Sequence, residues 1–494
     1  MSGAKCIMIQ GTMSGAGKSL LCAALCRIFR QDGLRAAPFK SQNMALNSAV
    51  TPEGLEIGRA QAVQAECAGL EPDARMNPIL LKPSSDTGSQ IIVNGRVRGQ
   101  MAAAEYFAYK KELIPEILAA YESLAAENDV IVIEGAGSPA EINLRENDIV
   151  NMGLAELVNA PVLLAGDIDR GGVFAQLYGT VMLLSPAERA RVRGLIVNKF
   201  RGDVEILRPG LRQIEALTGL PVLGVVPYLR IEIDDEDSLA PRLTDTGARR
   251  ALDVAVVRLP HIANFTDFAP LEQNGLLGVR YVDRASRLGT PDLVILPGTK
   301  STMGDLLWLR QSGLEGAILR LAEKGVPLFG ICGGYQMLGE ELRDPAGVEG
   351  ALPVLRGMGL LPCVTVFAAE KELRRTRAVV TGGPLDGAAL TGYEIHMGQT
   401  RVRGDSFCLL ESGAAEGCRR GNVCGSYLHG LFESGEAVDK LTDWLCARKG
   451  IKKENAAPES WRAFKERQYD LLAAGVRGAL DMGAVYRAME EFAG

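Results

Sequence analysis

The segment Gly330-Ile331-Cys332-Gly333-Gly334-Tyr335-Gln336 sets one thiol among small residues, directly after an apolar run. A Gly-x-Cys-x-Gly turn between a strand and a helix is the cysteine form of a nucleophile elbow. The turn is tight, so its neighbours must be small. The helix N-terminus behind it favours the thiolate. Cys332 is therefore the expected nucleophile, with the N–H of Gly333 pointing to where an oxyanion would form. A second donor is expected from Gly298, in Pro297-Gly298-Thr299 at the end of another apolar run. A thiol nucleophile needs a base, and the chain has only three histidines: His261, His396 and His429. His429, in Gly425-Ser426-Tyr427-Leu428-His429-Gly430, is the expected base, and His396, in Gly392-Tyr393-Glu394-Ile395-His396-Met397-Gly398, is its rival. His261 precedes the elbow without a glycine setting and reads as structural. No residue to orient the imidazole stands out; Glu433, four residues after His429, is a candidate.

A second constellation lies at the start of the chain. Gly11-Thr12-Met13-Ser14-Gly15-Ala16-Gly17-Lys18-Ser19 follows an apolar run and opens a helical pattern. That is the context of a phosphate-binding loop. Backbone N–H groups around Gly11, Thr12, Gly15 and Gly17 would cradle the phosphates of ATP. Lys18 would reach the β- and γ-phosphates, and Ser19 would hold Mg²⁺. Five residues separate Gly11 from Gly17, so the loop is longer than the common pattern. Position 13 is Met, where dimerising switches of this loop class carry a further lysine. Polar residues follow other strand ends, where ligands bind in open α/β sheets. Glu134 ends the strongest apolar run and is a candidate Mg²⁺ ligand, with Glu56 a weaker second. Lys40 follows another run, and Asn198 follows a third, where its amide could read a purine edge.

The elements that must position these groups are read from apolar periodicity. Val- and Ile-rich runs recur at 5–9, 35–39, 129–134, 161–165, 194–197 and 222–226, each followed by a helix-like stretch. A second series occupies 253–258, 292–296 and 326–330. Near-continuous apolar strands alternating with helices predict an α/β fold with doubly wound parallel sheets. The acidic and Pro/Gly-containing stretch 231–250 reads as a linker between a domain at 1–230 and one at 251–450; 451–494 reads as a helical tail. The 494 residues, 47% apolar and 23% charged, exclude dominant disorder. A net charge of -6 and 5% aromatic content argue against nucleic-acid binding by bulk charge or base stacking. No apolar run approaches the roughly 18 residues of a spanning helix. The ten cysteines are scattered without a CxxC pair, as expected of reduced thiols in the cytoplasm.

Longer segments carry a resemblance. They include Pro38-Phe39-Lys40-Ser41-Gln42-Asn43-Met44, Met76-Asn77-Pro78-Ile79-Leu80-Leu81-Lys82-Pro83 and Glu134-Gly135-Ala136-Gly137-Ser138-Pro139-Ala140-Glu141-Ile142-Asn143-Leu144. Others are Glu56-Ile57-Gly58-Arg59-Ala60-Gln61, Asp148-Ile149-Val150-Asn151-Met152, Gly166-Asp167-Ile168-Asp169-Arg170-Gly171-Gly172-Val173-Phe174 and Asn198-Lys199-Phe200-Arg201-Gly202-Asp203. Together they resemble the cobyric acid synthases, glutamine-dependent amidotransferases of cobalamin biosynthesis. The resemblance reaches to about residue 445. It implies a dethiobiotin-synthetase-like P-loop ligase domain followed by a flavodoxin-like class I glutamine amidotransferase domain. It implies ATP- and Mg²⁺-dependent amidation of the b, d, e and g carboxylates of adenosylcobyrinic acid a,c-diamide, with ammonia from glutamine. Lys18 and Lys40 would stabilise charge on the γ-phosphate. Class I enzymes usually place a Glu two residues after the catalytic His, but this chain has Leu431 there, which implies a Cys332–His429 dyad. The loop 135–151, with Asn143, Arg145, Asn147 and Asp148, is the expected corrinoid loop. Lys40, Lys82, Arg145 and Arg170 are the expected partners of the substrate's negative charge. Two alternatives share these motifs: cobyrinic acid a,c-diamide synthesis, and a P-loop switch with an amidotransferase-like binding module.

Overall fold

The apolar runs of the first half form parallel strands, because a strand buried on both faces has no polar side to alternate. The computed structural model describes residues 4–83, 88–234, 243, 250–350, 352–453 and 459–492. Among them, six parallel strands lie in the spatial order Val222–Pro227, Val192–Phe200, Val162–Asp167, Lys5–Gly11, Val130–Glu134, Ala36–Phe39. The register pairs Ile9 with Glu134, so the carboxylate stands beside the strand that feeds the phosphate loop. One face of the sheet, with Ile7, Ile9, Val132 and Leu163, packs on Leu25 and Phe29 of the helix Lys18–Gln31. The same core takes Tyr469, Leu472, Val476, Val485 and Met489 from the helices Trp461–Ala479 and Met482–Glu491.

The second series also forms a sheet. Its order is Leu277–Val282, Leu252–Val257, Leu293–Leu296, Leu328–Ile331, Val423–Ser426, all parallel, with Cys418–Arg420 antiparallel at the edge. Three neighbouring strands thus end side by side. Leu293–Leu296 leads into Gly298, Leu328–Ile331 into Cys332, and Val423–Ser426 into His429. A second, mostly antiparallel sheet is built on the strands Cys363–Val380 and Ala389–Val402, and it pairs Tyr393 with His429.

The chain divides into two compact units, and neither is one continuous stretch. The first comprises 1–45, 56–233 and 465–494; the second comprises 46–55 and 234–464. The tail expected at 451–494 is therefore split, and its last thirty residues complete the core of the first unit. Within that unit, Arg27 pairs with Glu466 and Asp470, each at 2.8 Å, and Tyr469 donates to Glu66 at 2.6 Å. Most of the expected linker 231–250 lies outside the described residues. Among the described residues, no helix is long and apolar enough to cross a membrane.

Candidate functional site

In the first unit the loop after Lys5–Gly11 turns at Gly15 and Gly17, both in the left-handed region with φ of 73° and 93°. Gly17 precedes the helix Lys18–Gln31, whose N-terminus has no side-chain cap and no acidic first turn. Its free N–H groups and dipole suit an anion. A Cβ on Gly17 would stand 2.2 Å from Nδ2 of Asn198, so only glycine fits. A Cβ on Gly11 would come within 3.1 Å of Lys18 Nζ. The ammonium of Lys18 donates to the carbonyls of Met13 and Gly137, both at 3.0 Å. Burial and the nearby charges of Lys40 and Lys199 push its pKa down to about 8, against the opposing pull of Glu134. Thr12 is held by its N–H to the carbonyl of Ala165 and by its hydroxyl to Gln176, at 2.9 and 3.0 Å.

Glu134 is the hub below the loop. Its Oε1 accepts from Ser19 Oγ at 2.8 Å and Lys40 Nζ at 2.7 Å; its Oε2 accepts from Gln64 at 2.6 Å and Gln61 at 3.3 Å. Burial alone would raise this carboxyl. The charge and hydrogen bond of Lys40, with the bonds from Gln64 and Ser19, hold it below the usual range instead. One hydroxyl and one carboxylate beside a phosphate loop form a hard-oxygen set that fits Mg²⁺, which takes its other ligands from phosphates and water. Among the described residues, no cluster of three or more His, Cys, Asp or Glu could hold a metal by itself.

Several of the expected residues have partners within the protein. Glu56 is fully buried and forms an ion pair with Lys82 at 2.7 Å. Lys82 thereby has its charge matched within the protein. Asn198 donates its amide to the carbonyl of Ala16 at 2.8 Å, which braces the loop. Asp148 accepts from the N–H groups of Val150, Asn151 and Gly153, which anchors the loop 135–151 from within. Sequence reasoning gave no role to Gln61 and Gln64. Their signal was available: two buried amides three residues apart on the helix Arg59–Ala68. Lys199, with φ of 61°, was also missed; it reaches the carbonyl of Gly15 and pairs with Asp167 at 2.9 Å.

In the second unit Cys332 has φ 51° and ψ -110°, a conformation that costs a non-glycine residue strain and persists where packing enforces it. The packing is visible at the flanking glycines. A Cβ on Gly334 would lie 2.1 Å from the carbonyl oxygen of Leu296, and one on Gly330 would lie 2.7 Å from Cα of Tyr335. Gly333 is the first residue of the helix Gly333–Leu338 and packs on Thr299. Gly298 lies beside both side chains: a Cβ there would be 3.1 Å from Cε1 of His429 and 3.8 Å from Cβ of Cys332. The thiol donates to the carbonyl of Ile395 at 3.5 Å.

His429 is buried, and its Nδ1 meets Oδ2 of Asp267 at 2.7 Å. The other oxygen of Asp267 accepts from the N–H of Gly430 at 3.0 Å. Burial opposes the imidazolium, but Asp267 and the hydrogen bond with Cys332 outweigh it and raise the His429 pKa to about 9. The carboxylate that holds the imidazole of the expected dyad is thus that of Asp267. Nothing near Asp267 in sequence signals it, because it sits 162 residues before His429 on the short turn Phe265–Phe268. His396 donates from Nδ1 to the carbonyl of Gly398 at 3.1 Å and stacks on Tyr427. Burial presses its pKa down to about 4, so it is neutral at pH 7. His261 pairs with the buried Asp305 at 2.8 Å. Tyr393 stacks on His429 with ring centres 5.3 Å apart.

Residues 7–238 match the family described as CobQ/CobB/MinD/ParA nucleotide binding domain, and 253–437 match the CobB/CobQ-like glutamine amidotransferase domain. The chain is 56% identical to a cobyric acid synthase of Ruminiclostridium cellulolyticum, covering 99% of this chain and 98% of that protein. It is 53% identical to one of Lachnoclostridium phytofermentans, covering 99% of each, and 52% identical to one of Yersinia enterocolitica, covering 98% of each. With a nucleotide-binding half, a glutamine amidotransferase half and relatives of this similarity along its whole length, the chain belongs to the cobyric acid synthase family.

Proposed function

We propose that the chain makes adenosylcobyric acid from adenosylcobyrinic acid a,c-diamide, amidating the b, d, e and g carboxylates with ATP and ammonia drawn from glutamine. The observation that carries this reading is the Cys332–His429–Asp267 array on one unit, together with a phosphate loop above Glu134 on the other.

A carboxylate is a poor electrophile, so the substrate carboxylate attacks the γ-phosphorus of ATP, releasing ADP and forming an acyl phosphate. Lys18 and Lys40 are the cations beside the transferred charge. Mg²⁺, held by Ser19 and Glu134, would neutralise phosphate charge there. In the other unit the Cys332 thiolate attacks the glutamine carboxamide. Gly333 and Gly298 are the proposed donors to the oxyanion. His429 gives its proton to the departing ammonia, then takes one from the water that cleaves the glutamyl thioester. Asp267 keeps the imidazole oriented throughout. Ammonia then displaces phosphate from the acyl phosphate. The buried free thiols support a reducing, cytoplasmic setting.

The test is mass spectrometry of the corrinoid diamide incubated with protein, Mg·ATP and glutamine. Four successive replacements of OH by NH₂ are expected. Active glutaminase with an unchanged corrinoid would sink the assignment and make cobyrinic acid the next substrate to try.

A further inference from the structure

Asp267 can grip His429 only if the backbone that carries it is itself held. The turn that bears Asp267 is closed by Asn264, whose carbonyl accepts from the Asp267 N–H at 3.0 Å. Asn264 sits in the left-handed region, with φ 52° and ψ 38°, which Asn tolerates better than most residues. Its other polar groups are taken by the segment 46–55. The N–H of Asn264 donates to Oδ1 of Asn47 at 2.6 Å, and its own Oδ1 accepts from the N–H of Ser48 at 3.0 Å. These partners stand 217 and 216 residues apart in the chain. The preceding residue, Ala263, donates its N–H to the carbonyl of Gly298 at 2.9 Å. One clasp therefore borders both the Asp267 turn and the backbone of Gly298.

The same segment holds the opposite side of the imidazole. Tyr393, which stacks on His429, donates its hydroxyl to the carbonyl of Ser48 at 3.3 Å. Arg375 donates to the carbonyl of Val50 at 2.7 Å, and Val50 packs with Tyr393 and Ile395. Asn47, Ser48 and Thr51 are fully buried. Buried polar groups that are paired on both sides favour one geometry, because breaking any pair strands a group away from water. All of these residues belong to the second unit. Yet 46–55 lies inside the nucleotide-binding match at 7–238 and outside the amidotransferase match at 253–437.

We propose that the segment 46–55 is a positioning element of the glutaminase site. Asn47 and Ser48 fix Asn264 and with it the Asp267 turn, Ser48 and Val50 fix Tyr393, and His429 is aligned between the two. Residues 253–437 are then an incomplete glutaminase, finished by ten residues from the nucleotide-binding half of the sequence. This rests on the proposed Cys332–His429–Asp267 array.

Asn47→Ala and Asn264→Gly open the clasp from its two sides. Glycine keeps the left-handed turn and removes only the side-chain acceptor. In the full-length protein each variant is expected to lower glutaminase kcat about tenfold or more, since small misplacements of a base are costly. The KM for glutamine should stay within about twofold, because alignment rather than binding is lost. Amidation of the corrinoid diamide driven by ammonium chloride should also stay within about twofold. Unchanged glutaminase kcat in both variants overturns the proposal. An equal loss of ammonium-driven amidation overturns it too, because it marks general damage to the fold. Cys332→Ser is the separate check on the array: it should abolish glutaminase activity. If activity survives, the array has failed and the positioning role falls with it.

Discussion

Asp267 grips both His429 and the residue after it: one carboxylate oxygen lies 2.7 Å from Nδ1 and the other accepts from the Gly430 N–H at 3.0 Å. This bidentate hold fixes the ring and its tautomer, leaving Nε2 to serve the thiol. In the proposed mechanism it takes the place of the carboxylate expected two positions after the histidine, where this chain has Leu431. Asp267→Asn is expected to lower glutaminase kcat by ~10²- to 10⁴-fold. Amidation driven by added ammonium chloride should persist. Steady-state assays with each nitrogen source decide it; full glutaminase activity would remove Asp267 from the mechanism.

The same pair makes stability depend on pH. The folded pKa of His429, about 9, lies above its unfolded value of 6.5. The contribution is therefore fully present below about pH 6.5 and is lost as pH rises through about 9. Asp267→Asn removes the raising charge. The Tm gap between parent and variant should be widest near pH 6 and should narrow by pH 9.5. A gap that stays constant across that range would contradict the assignment.

Lys18 titrates at about 8 without nucleotide, lowered by burial and by neighbouring cations. A bound polyphosphate favours its charged form. Above pH 8, nucleotide binding should take up close to one proton, and affinity should fall about tenfold per pH unit. Below pH 7, uptake at this group should vanish. Calorimetry in buffers of different ionisation enthalpy measures the proton count directly. Lys18→Arg should abolish the pH dependence.

Glu134 and Lys40 are both buried, so removing one charge strands the other. Glu134→Ala should destabilise the protein by ~3–5 kcal/mol. Glu134→Gln/Lys40→Met, which removes both charges, should recover much of that loss. Denaturant midpoints compare the two. Both variants should lose ATP-dependent amidation and retain glutaminase activity, since Cys332 and His429 belong to the other unit.

The parallel strands were legible because continuous Val/Ile runs have few alternatives at that length. The runs at 129–134 and 161–165 correspond closely to Val130–Glu134 and Val162–Asp167. The thiol and phosphate loops were legible because tight turns beside helix N-termini accept few residue types. The long strand Cys363–Val380 was missed because Glu370-Lys371-Glu372 and Arg374-Arg375 interrupt its apolar alternation. Asp267 was missed for a different reason: only the tertiary fold brings the turn Phe265–Phe268 to His429. The ion pair of Glu56 was not legible, because a buried carboxylate looks the same in sequence whatever its partner. Its partner, Lys82, lies on a strand of another sheet.

Because the first unit draws its core from both 1–233 and 465–494, synthesis order constrains its assembly. The strand Lys5–Gly11 leaves the ribosome long before Val485 and Met489, which cover it. At ~5–20 residues per second, that face waits on the order of tens of seconds for its cover. The second unit is made in the interval. The apolar face of the first sheet is thus a nascent-chain surface suited to a chaperone, and a ribosome stalled before residue 465 would leave it uncovered.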